Sequence, residues 1–303
     1  MTTPVVVIGA GFLGRAVAGA LLAAGHPTTV IARRAVPPLD GARMVTVDLG
    51  DRRALEAAIE PGTAVVFAAG NSVPAADEHH PGRAAAEVTP LVSVLEAVRH
   101  RPGASLLFLS SGGAVYGEPD SLPVDETHPL RPLSAYGAAK VASETYVRYY
   151  RRRHGLAATS LRCGNAYGPG QVPGRGQGLV GELLNASGSG RPIELWGDGS
   201  VRRDFVHVGD VARAILGLCG RADLPEAINV GTGQATSVLE AIDLVSQVTG
   251  RPVTVDARPP RPFDVRQVAL DIRRLQTLIE FDPITLPQGI GLTWAAMVAD
   301  PVA

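Results

Sequence analysis

The sequence predicts an α/β fold: a doubly wound parallel sheet with helices on both faces, followed by a smaller C-terminal lobe. Residues 5–163 alternate short apolar or β-branched runs with Ala- and Leu-rich helical stretches, which is the rhythm of βαβ units. The apolar runs are continuous rather than alternating, as expected for strands buried on both sides. After Cys163, Gly- and Pro-rich loops separate shorter helices. We therefore expect two lobes, 1–165 and 166–303, with some segments of the second returning to the first.

Each element of this scheme has its own local signal. Continuous apolar runs predict strands at Val5–Ile8, Thr29–Ala32, Met44–Val47, Ala64–Ala68, Leu106–Ser110 and Thr159–Leu161. Helical stretches occupy Phe12–Ala24, Arg52–Ile59, Ala85–Arg99, Ala135–His154, Leu179–Ala186, Val208–Gly220 and Ser237–Thr249. Gly25 stands where a glycine ends the first helix, and Pro90 predicts a break or a start in the third.

Composition limits the classes of partner. The 303 residues carry 28 basic and 29 acidic side chains, a formal charge of −1, which gives no general attraction to nucleic acid or anionic membrane. No apolar run approaches the ~18–20 residues of a membrane span. Cys163 and Cys219 are far apart, without a neighbouring Cys or His at metal-ligand spacing. We expect a cytoplasmic protein with no metal, nucleic-acid or membrane partner.

A glycine-rich turn joins the first strand to the first helix. Gly9, Gly11 and Gly14 have the spacing that lets the backbone approach a pyrophosphate at a helix N-terminus. Because a strand precedes the turn and a helix follows it, a dinucleotide site is favoured over a plain tight turn. The expected cofactor contacts are Gly9, Gly11, Phe12, Leu13 and Gly14 in this turn, Asp48, Leu49, Ala68 and Ala69 at the ends of later strands, and Cys163.

The residues after the second strand bear on the choice of cofactor. An NAD site usually places a carboxylate there for the ribose 2′-hydroxyl, but this chain has Arg33 and Arg34. Two guanidiniums suit a 2′-phosphate through charge-assisted hydrogen bonds. The sequence thus favours NADP(H), with NAD(H) as the alternative if both arginines only solvate a loop. Asp48 is expected beside the adenine, or else as a turn former.

Tyr136 and Lys140 lie four residues apart at the start of the long helix, so the phenol and the ammonium share one face. A cation held close to a phenol favours the phenolate, the form that accepts a proton. Lys140 is also the only lysine of the chain, in which every other basic residue is arginine. We predict that Tyr136 transfers a proton and that Lys140 assists it.

Besides the glycine turn and the Tyr136–Lys140 pair, five stretches carry recognisable motifs. They are LSSGGAVYG (109–117), RCGNAYGPG (162–170), GDGSVRRDFVHV (197–208), NVGTG (229–233) and RPPRPFDV (258–265). In this order, and over nearly the whole chain, they resemble the extended short-chain dehydrogenase/reductases. The resemblance is strongest to the UDP-glucose 4-epimerase branch of the NAD-dependent epimerase/dehydratase family. It implies a Rossmann-type sheet, a nucleotide-sugar-binding C-terminal lobe and a homodimer formed through the tyrosine helix.

The resemblance also implies residue roles. The reaction would be hydride exchange between a nicotinamide and a sugar carbon, usually C4 of a UDP- or TDP-hexose. Tyr136 would move the hydroxyl proton, and Lys140 would also hold the nicotinamide ribose. Substrate contacts are implied for Asn165, Arg203 and Arg261 at the diphosphate and sugar, and for Trp196 and Gln177 at the base. An ion pair with Asp204 or Asp210 is the alternative role for Arg203.

Three departures from the family pattern narrow the reaction. The position that aligns with the family's reactive Ser or Thr is Gly112, which leaves Ser111 as the nearest hydroxyl and the third catalytic candidate. Gly113 and Ala114 occupy the positions where dehydrating and decarboxylating relatives carry acids, so neither chemistry has its acid. Ile8 replaces the first glycine of the family's turn, and cofactor binding is expected to survive that change.

Two enzyme classes and one non-enzyme class therefore remain. Arg33 and Arg34 favour a net NADPH-dependent 4-ketoreductase, because NADPH is the usual donor for biosynthetic reduction, and this is the reaction that we expect first. The whole-chain resemblance favours a 4-epimerase that keeps its NAD bound. A sensor that only binds NADP is expected to lack the Tyr136–Lys140 pair, which this chain has.

Overall fold

The computed structural model describes residues 2–70, 72, 77–172, 174, 178–261 and 264–299. The described strands are β1 (Val5–Ile8), β2 (Thr28–Ala32), β3 (Arg43–Thr46), β4 (Ala64–Phe67), β5 (Ser105–Ser111), β6 (Ala157–Cys163), β7 (Asn165–Tyr167), β8 (Ile193–Trp196), β9 (Arg202–Arg203), β10 (Phe205–His207), β11 (Ala227–Val230), β12 (Thr236–Ser237) and β13 (Val255–Arg258).

The described helices surround these strands. They are α1 (Phe12–Ala23), α2 (Arg52–Ala58), α3 (Pro81–Ala85), α4 (Val88–Arg99), α5 (Gly112–Val115), α6 (Ala135–His154), α7 (Leu179–Ser189), α8 (Val208–Leu218), α9 (Val238–Thr249), α10 (Arg273–Leu278) and α11 (Leu286–Ala299). Within the described ranges, none of them combines the length and the apolar character that a membrane crossing requires.

The central sheet has seven parallel strands in the spatial order β3-β2-β1-β4-β5-β6-β11. The chain winds outward from β1 in one direction to β3 and then in the other direction from β4 onward. In such a sheet, ligands bind outside the carboxyl ends of the strands, beside the point where the winding reverses. The predicted doubly wound Rossmann-type sheet is confirmed.

Both faces of the sheet are buried, which explains the continuous apolar runs. Val5 and Val7 of β1 pack on the face covered by α1 and α8, whereas Val6 and Ile8 pack on the face covered by α2, α4 and α6. All four side chains are at most 3% exposed. Burial of each such side chain stabilises the fold by ~1.5–3 kcal/mol, so neither face tolerates a polar residue in this strand.

The predicted elements are present, with differences mainly at their ends. Val5–Ile8 and Ala135–His154 have the predicted bounds. The third helix, expected over Ala85–Arg99 with a break or a start near Pro90, begins at Val88, two residues before that proline, and α3 ends at Ala85. Pro90 lies in the first turn of α4, where a missing N–H costs no helical hydrogen bond.

The C-terminal part of the chain builds a smaller helical layer and also completes the sheet. Helices α7, α9 and α11 enclose a separate apolar cluster around Tyr167, Leu184 and Ile290. Short strand pairs, β7 with β10, β9 with β12 and β8 with β13, line this layer. Strand β11 lies beside β6 in the main sheet. The division at residues 165 and 166 stays a prediction.

Asp204 connects three segments of the C-terminal part of the chain. Its carboxylate is fully buried and accepts hydrogen bonds from Thr232 N and Oγ1 at 2.8 and 2.7 Å, from Gly233 N at 3.1 Å and from Leu270 N at 3.0 Å. Burial raises the pKa of this carboxyl, while the four donors act in the opposite direction. The preceding residue, Arg203, is thereby held at the carboxyl end of the sheet.

Candidate active site

The glycine turn has a shape that suits a pyrophosphate. Gly9 has φ +111°, and a Cβ there would lie 2.7 Å from Ala69 N. A Cβ on Gly14 would lie 1.9 Å from Gly9 O, so this glycine is required for α1 to pack against the turn. A Cβ on Gly11 would meet nothing within 4 Å. The backbone at Gly11 is therefore open on the side where α1 begins, with no side chain capping the helix.

A cavity of about 350 Å³ lies on one side of this turn, at the carboxyl ends of β5 and β6. We call it the large cavity. Of the predicted site residues, it is lined by Phe12, Leu13, Ser111, Tyr136, Cys163, Asn165, Arg203 and Arg261. These residues come from both parts of the chain, and the structure brings the predicted proton donor and the predicted diphosphate contacts to one space.

A second cavity of about 290 Å³ lies at the ends of β2, β3 and β4, and we call it the small cavity. Of the predicted residues, Arg33, Leu49 and Ala69 line it, and Ala68 packs under Gly9. Because the glycine turn separates the two cavities, their arrangement matches a dinucleotide with its pyrophosphate at the turn and one nucleoside on each side.

The Tyr136–Lys140 pair stands at the start of α6. Ser134 caps the helix by accepting a hydrogen bond from Gly137 N at 3.0 Å. Lys140 Nζ lies 5.6 Å from the centroid of the Tyr136 ring and donates to Leu109 O at 3.3 Å. The ammonium is therefore held by the end of β5, beside the phenol that faces the large cavity.

Cys163 is a neutral part of the cavity wall. Burial raises the pKa of its thiol to about 12, although the nearby Lys140 ammonium acts in the opposite direction. The thiol is protonated at neutral pH and is not an activated nucleophile. Its small side chain leaves room at the end of β6, as expected for a residue that contacts a flat ring.

Three serines and one glycine decide which hydroxyl can reach the reacting oxygen. A Cβ on Gly112 would lie 2.6 Å from Leu270 Cδ1 and 3.0 Å from Arg162 O, so this position holds no side chain in this fold. Ser110 lines the cavity, but its hydroxyl donates to Glu144 at 2.6 Å. Ser111 and Ser134 also line the cavity. Their hydroxyls are the candidates in the described part of the wall.

Ser134 is a site residue that the sequence analysis missed. Its signal was available, since a serine directly before a helical pattern is a standard N-cap. As a cap, Ser134 uses an acceptor lone pair, so its proton can still be donated toward the cavity.

Two guanidiniums line the large cavity, those of Arg203 and Arg261. Arg203 donates to Val265 O and to Arg202 O, the latter at 3.0 Å, and lies 3.8 Å from Asp264. Its ion pair is therefore with Asp264, not with Asp204 or Asp210. Burial lowers the pKa of Arg203, and Asp264 acts against that effect. A guanidinium stays charged under these conditions.

Arg261 lies over Trp196, with its Cζ 4.2 Å from the ring centroid. This stacking fixes the orientation of a long, otherwise mobile side chain. Trp196 itself is not part of the described wall of either cavity. The structure thus gives this tryptophan a role in holding Arg261.

Two other predicted contacts, Asp48 and Arg34, do not line the described cavity walls. Asp48 is exposed, and its carboxylate accepts a hydrogen bond from Gly50 N at 3.0 Å, which makes it a turn former. Arg34 is exposed beyond the end of β2, where it does not line the small cavity. Gln177 lies outside the described residues.

Residues 5–231 match the NAD dependent epimerase/dehydratase family. The chain belongs to this family. The match spans the sheet, the glycine turn, the Tyr136–Lys140 helix and the Arg203 strand. The predicted family and enzyme class are confirmed, since the relatives that the chain resembles are enzymes.

Similar proteins include both reaction types considered above. The chain is 33% identical over 296 residues to the UDP-glucose 4-epimerase of Mycolicibacterium smegmatis, covering 94% of this chain and 95% of that protein. It is 36% identical over 158 residues to a dTDP-4-dehydro-6-deoxy-D-allose reductase of a Streptomyces species, covering 52% of this chain and 48% of that protein. The crystal structure of Thermus thermophilus UDP-glucose 4-epimerase in complex with NAD superposes with a TM-score of 0.88, at 32% identity, over 97% of this chain and 99% of that one.

Proposed function

We propose that the protein is an NAD-dependent 4-epimerase of a nucleotide-diphosphate hexose, with UDP-hexose as the first candidate. One observation carries this proposal: Tyr136 and Ser111 line the same cavity as Arg203 and Arg261. A proton-transfer group and two cations in one space favour a substrate that combines an anionic diphosphate with a reacting hydroxyl. The glycine turn between the two cavities provides the matching place for the dinucleotide.

Substrate binding depends on the two cations that line the cavity. Arg203 and Arg261 bind the diphosphate through charge-assisted hydrogen bonds, and Asn165 at the cavity wall adds a neutral contact. Fixing the diphosphate holds the hexose near Tyr136. The reacting hydroxyl and the phenol are then oriented before the reaction, which lowers its entropic cost.

The proton step belongs to Tyr136. Its phenolate accepts the proton of the C4 hydroxyl and returns a proton to the C4 oxygen after the oxidised sugar has rotated to present its other face. The Lys140 ammonium stabilises the negative charge on the phenol oxygen. Ser111 donates a hydrogen bond to the C4 oxygen during the same step. The chemistry that a bound nicotinamide supplies is reversible hydride transfer at C4.

The choice of a 4-epimerase over a 4-ketoreductase has two supports. The epimerase relative aligns along 94% of this chain, whereas the reductase aligns along 52%. In addition, the small cavity contains two carboxylates, Asp77 and Glu87, besides Arg33 and Arg83. Two carboxylates beside two guanidiniums leave little net positive charge, so this cavity suits a 2′-phosphate less well than Arg33 and Arg34 alone would suggest.

A net NADPH-dependent 4-ketoreductase is the second candidate function. The observation in its favour is that Arg33 does line the small cavity. Such an enzyme would consume reduced cofactor and would release it after each turnover, whereas a 4-epimerase regenerates its cofactor in place.

The test is interconversion of UDP-glucose and UDP-galactose by the protein as purified, without added cofactor. We expect turnover, retained NAD in the released nucleotide, and a loss of ~10²–10⁴-fold in kcat for Tyr136→Phe. Tyr146→Phe is the matched control, since Tyr146 lies on the same helix and is 44% exposed. Stoichiometric NADPH oxidation with a 4-keto nucleotide sugar, and no interconversion, would select the second candidate. Full activity of Tyr136→Phe would refute the proton role.

A further inference from the structure

Asp77 is a buried carboxylate whose acceptors are unused by the described residues. It follows β4, precedes α3 and has an exposed fraction of 0%. Within the described part of the chain, neither Oδ1 nor Oδ2 has a hydrogen-bond partner. Its ion pair in the described structure is with Arg83, whose Nε lies 3.8 Å from Oδ1, which is beyond hydrogen-bond length.

This arrangement is unfavourable unless something else contacts Asp77. A carboxylate that has left water and accepts no hydrogen bond carries a large desolvation cost. Buried side-chain acceptors in folded proteins are rarely left without a donor. Asp77 also lines the small cavity, so the missing donor can come from a bound ligand.

The other acid of the small cavity differs from Asp77. Glu87 accepts a hydrogen bond from Ser72 N at 2.6 Å and so already holds the segment after β4. Asp77 is therefore the carboxylate in the described wall with both oxygens available. It also stands in a cavity bordered by Arg33, the residue at the position where NAD sites usually have their acid.

We propose that Asp77 accepts hydrogen bonds from the adenosine half of the dinucleotide and selects a cofactor without a 2′-phosphate. This inference rests on the proposed function only in taking the small cavity as the adenosine site. The donor is an N–H or O–H group of adenosine, either a ribose hydroxyl or the adenine amino group. A phosphate beside this carboxylate would meet like charge, and Arg33 and Arg83 would offset that repulsion only in part.

The experiment measures cofactor binding to the apo protein by calorimetry, without substrate. Asp77→Asn keeps the shape and removes the charge. We expect its Kd for NAD to rise at least about tenfold, because a hydrogen bond to a charged acceptor is replaced by a weaker one to a neutral amide. The wild-type protein is expected to bind NAD more tightly than NADP. In Asp77→Asn the ratio of the two Kd values is expected to be smaller. Asp40→Asn, the same change at an exposed position, is the control and is expected to bind both like the wild type.

Deamino-NAD, which lacks the adenine amino group, identifies the donor. If the amino group donates, deamino-NAD binds the wild type more weakly than NAD, and the difference disappears in Asp77→Asn. If a ribose hydroxyl donates, the two dinucleotides bind the wild type alike and both weaken in the variant. Either pattern supports the hydrogen-bonding role of Asp77, and the comparison of NAD with NADP tests the selection against a 2′-phosphate: wild-type binding of NADP as tight as that of NAD would overturn it.

Thermal unfolding of the apo proteins separates this role from a structural one. Removing a buried charge that accepts no hydrogen bond from the described residues is expected to leave the Tm of Asp77→Asn unchanged or higher. An unchanged Kd for NAD, or a Tm that falls together with binding in both Asp77→Asn and Asp77→Ser, would overturn the proposal. Because no sugar nucleotide is involved, failure of the 4-epimerase assay would leave these binding results standing.

Discussion

The hydroxyl of Ser110 donates to Glu144 Oε1 at 2.6 Å, and this contact joins the end of β5 to the helix that carries Tyr136 and Lys140. The same carboxylate accepts from Arg162 of β6, with Nη2 at 2.8 Å from Oε2. Arg162 Nη1 in turn donates to the Tyr116 hydroxyl at 3.0 Å. One buried acid therefore holds together the elements that form the large cavity.

Replacing Glu144 with Gln is expected to destabilise the protein by ~3–5 kcal/mol, because Arg162 would be left as a buried charge without its partner. Denaturant unfolding monitored by circular dichroism measures the change. Glu226→Gln is the control: Glu226 is 39% exposed and pairs with Arg148 and Arg152 at the surface, where such pairs contribute ~0–1 kcal/mol. Equal effects of the two substitutions would contradict this reading of the Glu144 contacts.

Arg203 and its neighbour Arg202 make a matched pair for substrate binding. Arg203 lines the large cavity, whereas Arg202 is bound to Glu240 and to Ala235 O at the surface. Arg203→Lys is expected to raise KM for the nucleotide sugar ~10–100-fold with a smaller change in kcat, since a lysine loses the bidentate contact to phosphate. Arg202→Lys should leave both constants within a few fold. Steady-state kinetics of both variants measure KM and kcat. A larger increase in KM for Arg202→Lys than for Arg203→Lys would contradict the role of Arg203 in binding the diphosphate.

Ser111 and Ser134 are distinguished by what their removal does. Ser111→Ala is expected to lower kcat ~10–100-fold and to leave Tm unchanged, because the hydroxyl makes no recorded hydrogen bond to the described residues and acts only on the reacting oxygen. Ser134→Ala is expected to cost ~1 kcal/mol of stability through the lost N-cap, with kcat within a few fold. Kinetics and unfolding of both variants provide the comparison. The reverse ranking in kcat would assign the hydrogen bond at C4 to Ser134.

The environment of His207 leads us to expect that the folded protein loses stability in mild acid. Burial lowers the pKa of this imidazole from its usual 6.5, although Asp210 acts in the opposite direction. Its Nδ1 accepts a hydrogen bond from Gly209 N at 3.1 Å and caps α8, so protonation would break the cap. Because the unfolded chain binds the proton more tightly than the folded one, stability falls as pH drops below about 6.5.

The measurement for His207 is Tm between pH 7.5 and pH 5. His207→Asn keeps an oxygen that can cap the helix but does not bind a proton in this range. We therefore expect its Tm to fall less between pH 7.5 and pH 5 than that of the wild type. His128→Asn serves as the control, since His128 lies in a different part of the fold beside Asp120. The same acid slope in the wild type and in His207→Asn would remove His207 as the cause.

The sequence predicted those features that depend on local patterns. Helix Ala135–His154 has its predicted bounds because Ser134 caps one end and Gly155, in the left-handed conformation, ends the other. The glycine turn was equally predictable, because Gly9 and Gly14 are required by backbone contacts within a few residues or with the end of the adjacent strand. The residues at the substrate end came from the family resemblance rather than from any periodicity.

The features that the sequence did not predict depend on contacts between distant segments. Asp48 has the position of an adenine contact, but its carboxylate is used in a turn two residues on. No sequence pattern around Asp77 indicates a binding site. The residue reaches the small cavity only because the fold places it near Arg33 and Leu49, which follow β2 and β3. Gly112 aligns with a reactive hydroxyl, yet Leu270, far along the chain, fills the space beside it.

Strand β11 has a consequence for how the molecule is synthesised. It covers the edge of β6, and Asn229 within it accepts a hydrogen bond from the Tyr116 hydroxyl at 2.7 Å. Until Ala227–Val230 have left the ribosome, β6 is an open edge whose unpaired backbone groups attract other strands. The nascent chain must therefore be kept from self-association over more than sixty residues of elongation, and a fragment that stops after β6 would be prone to aggregate however well its own core packs.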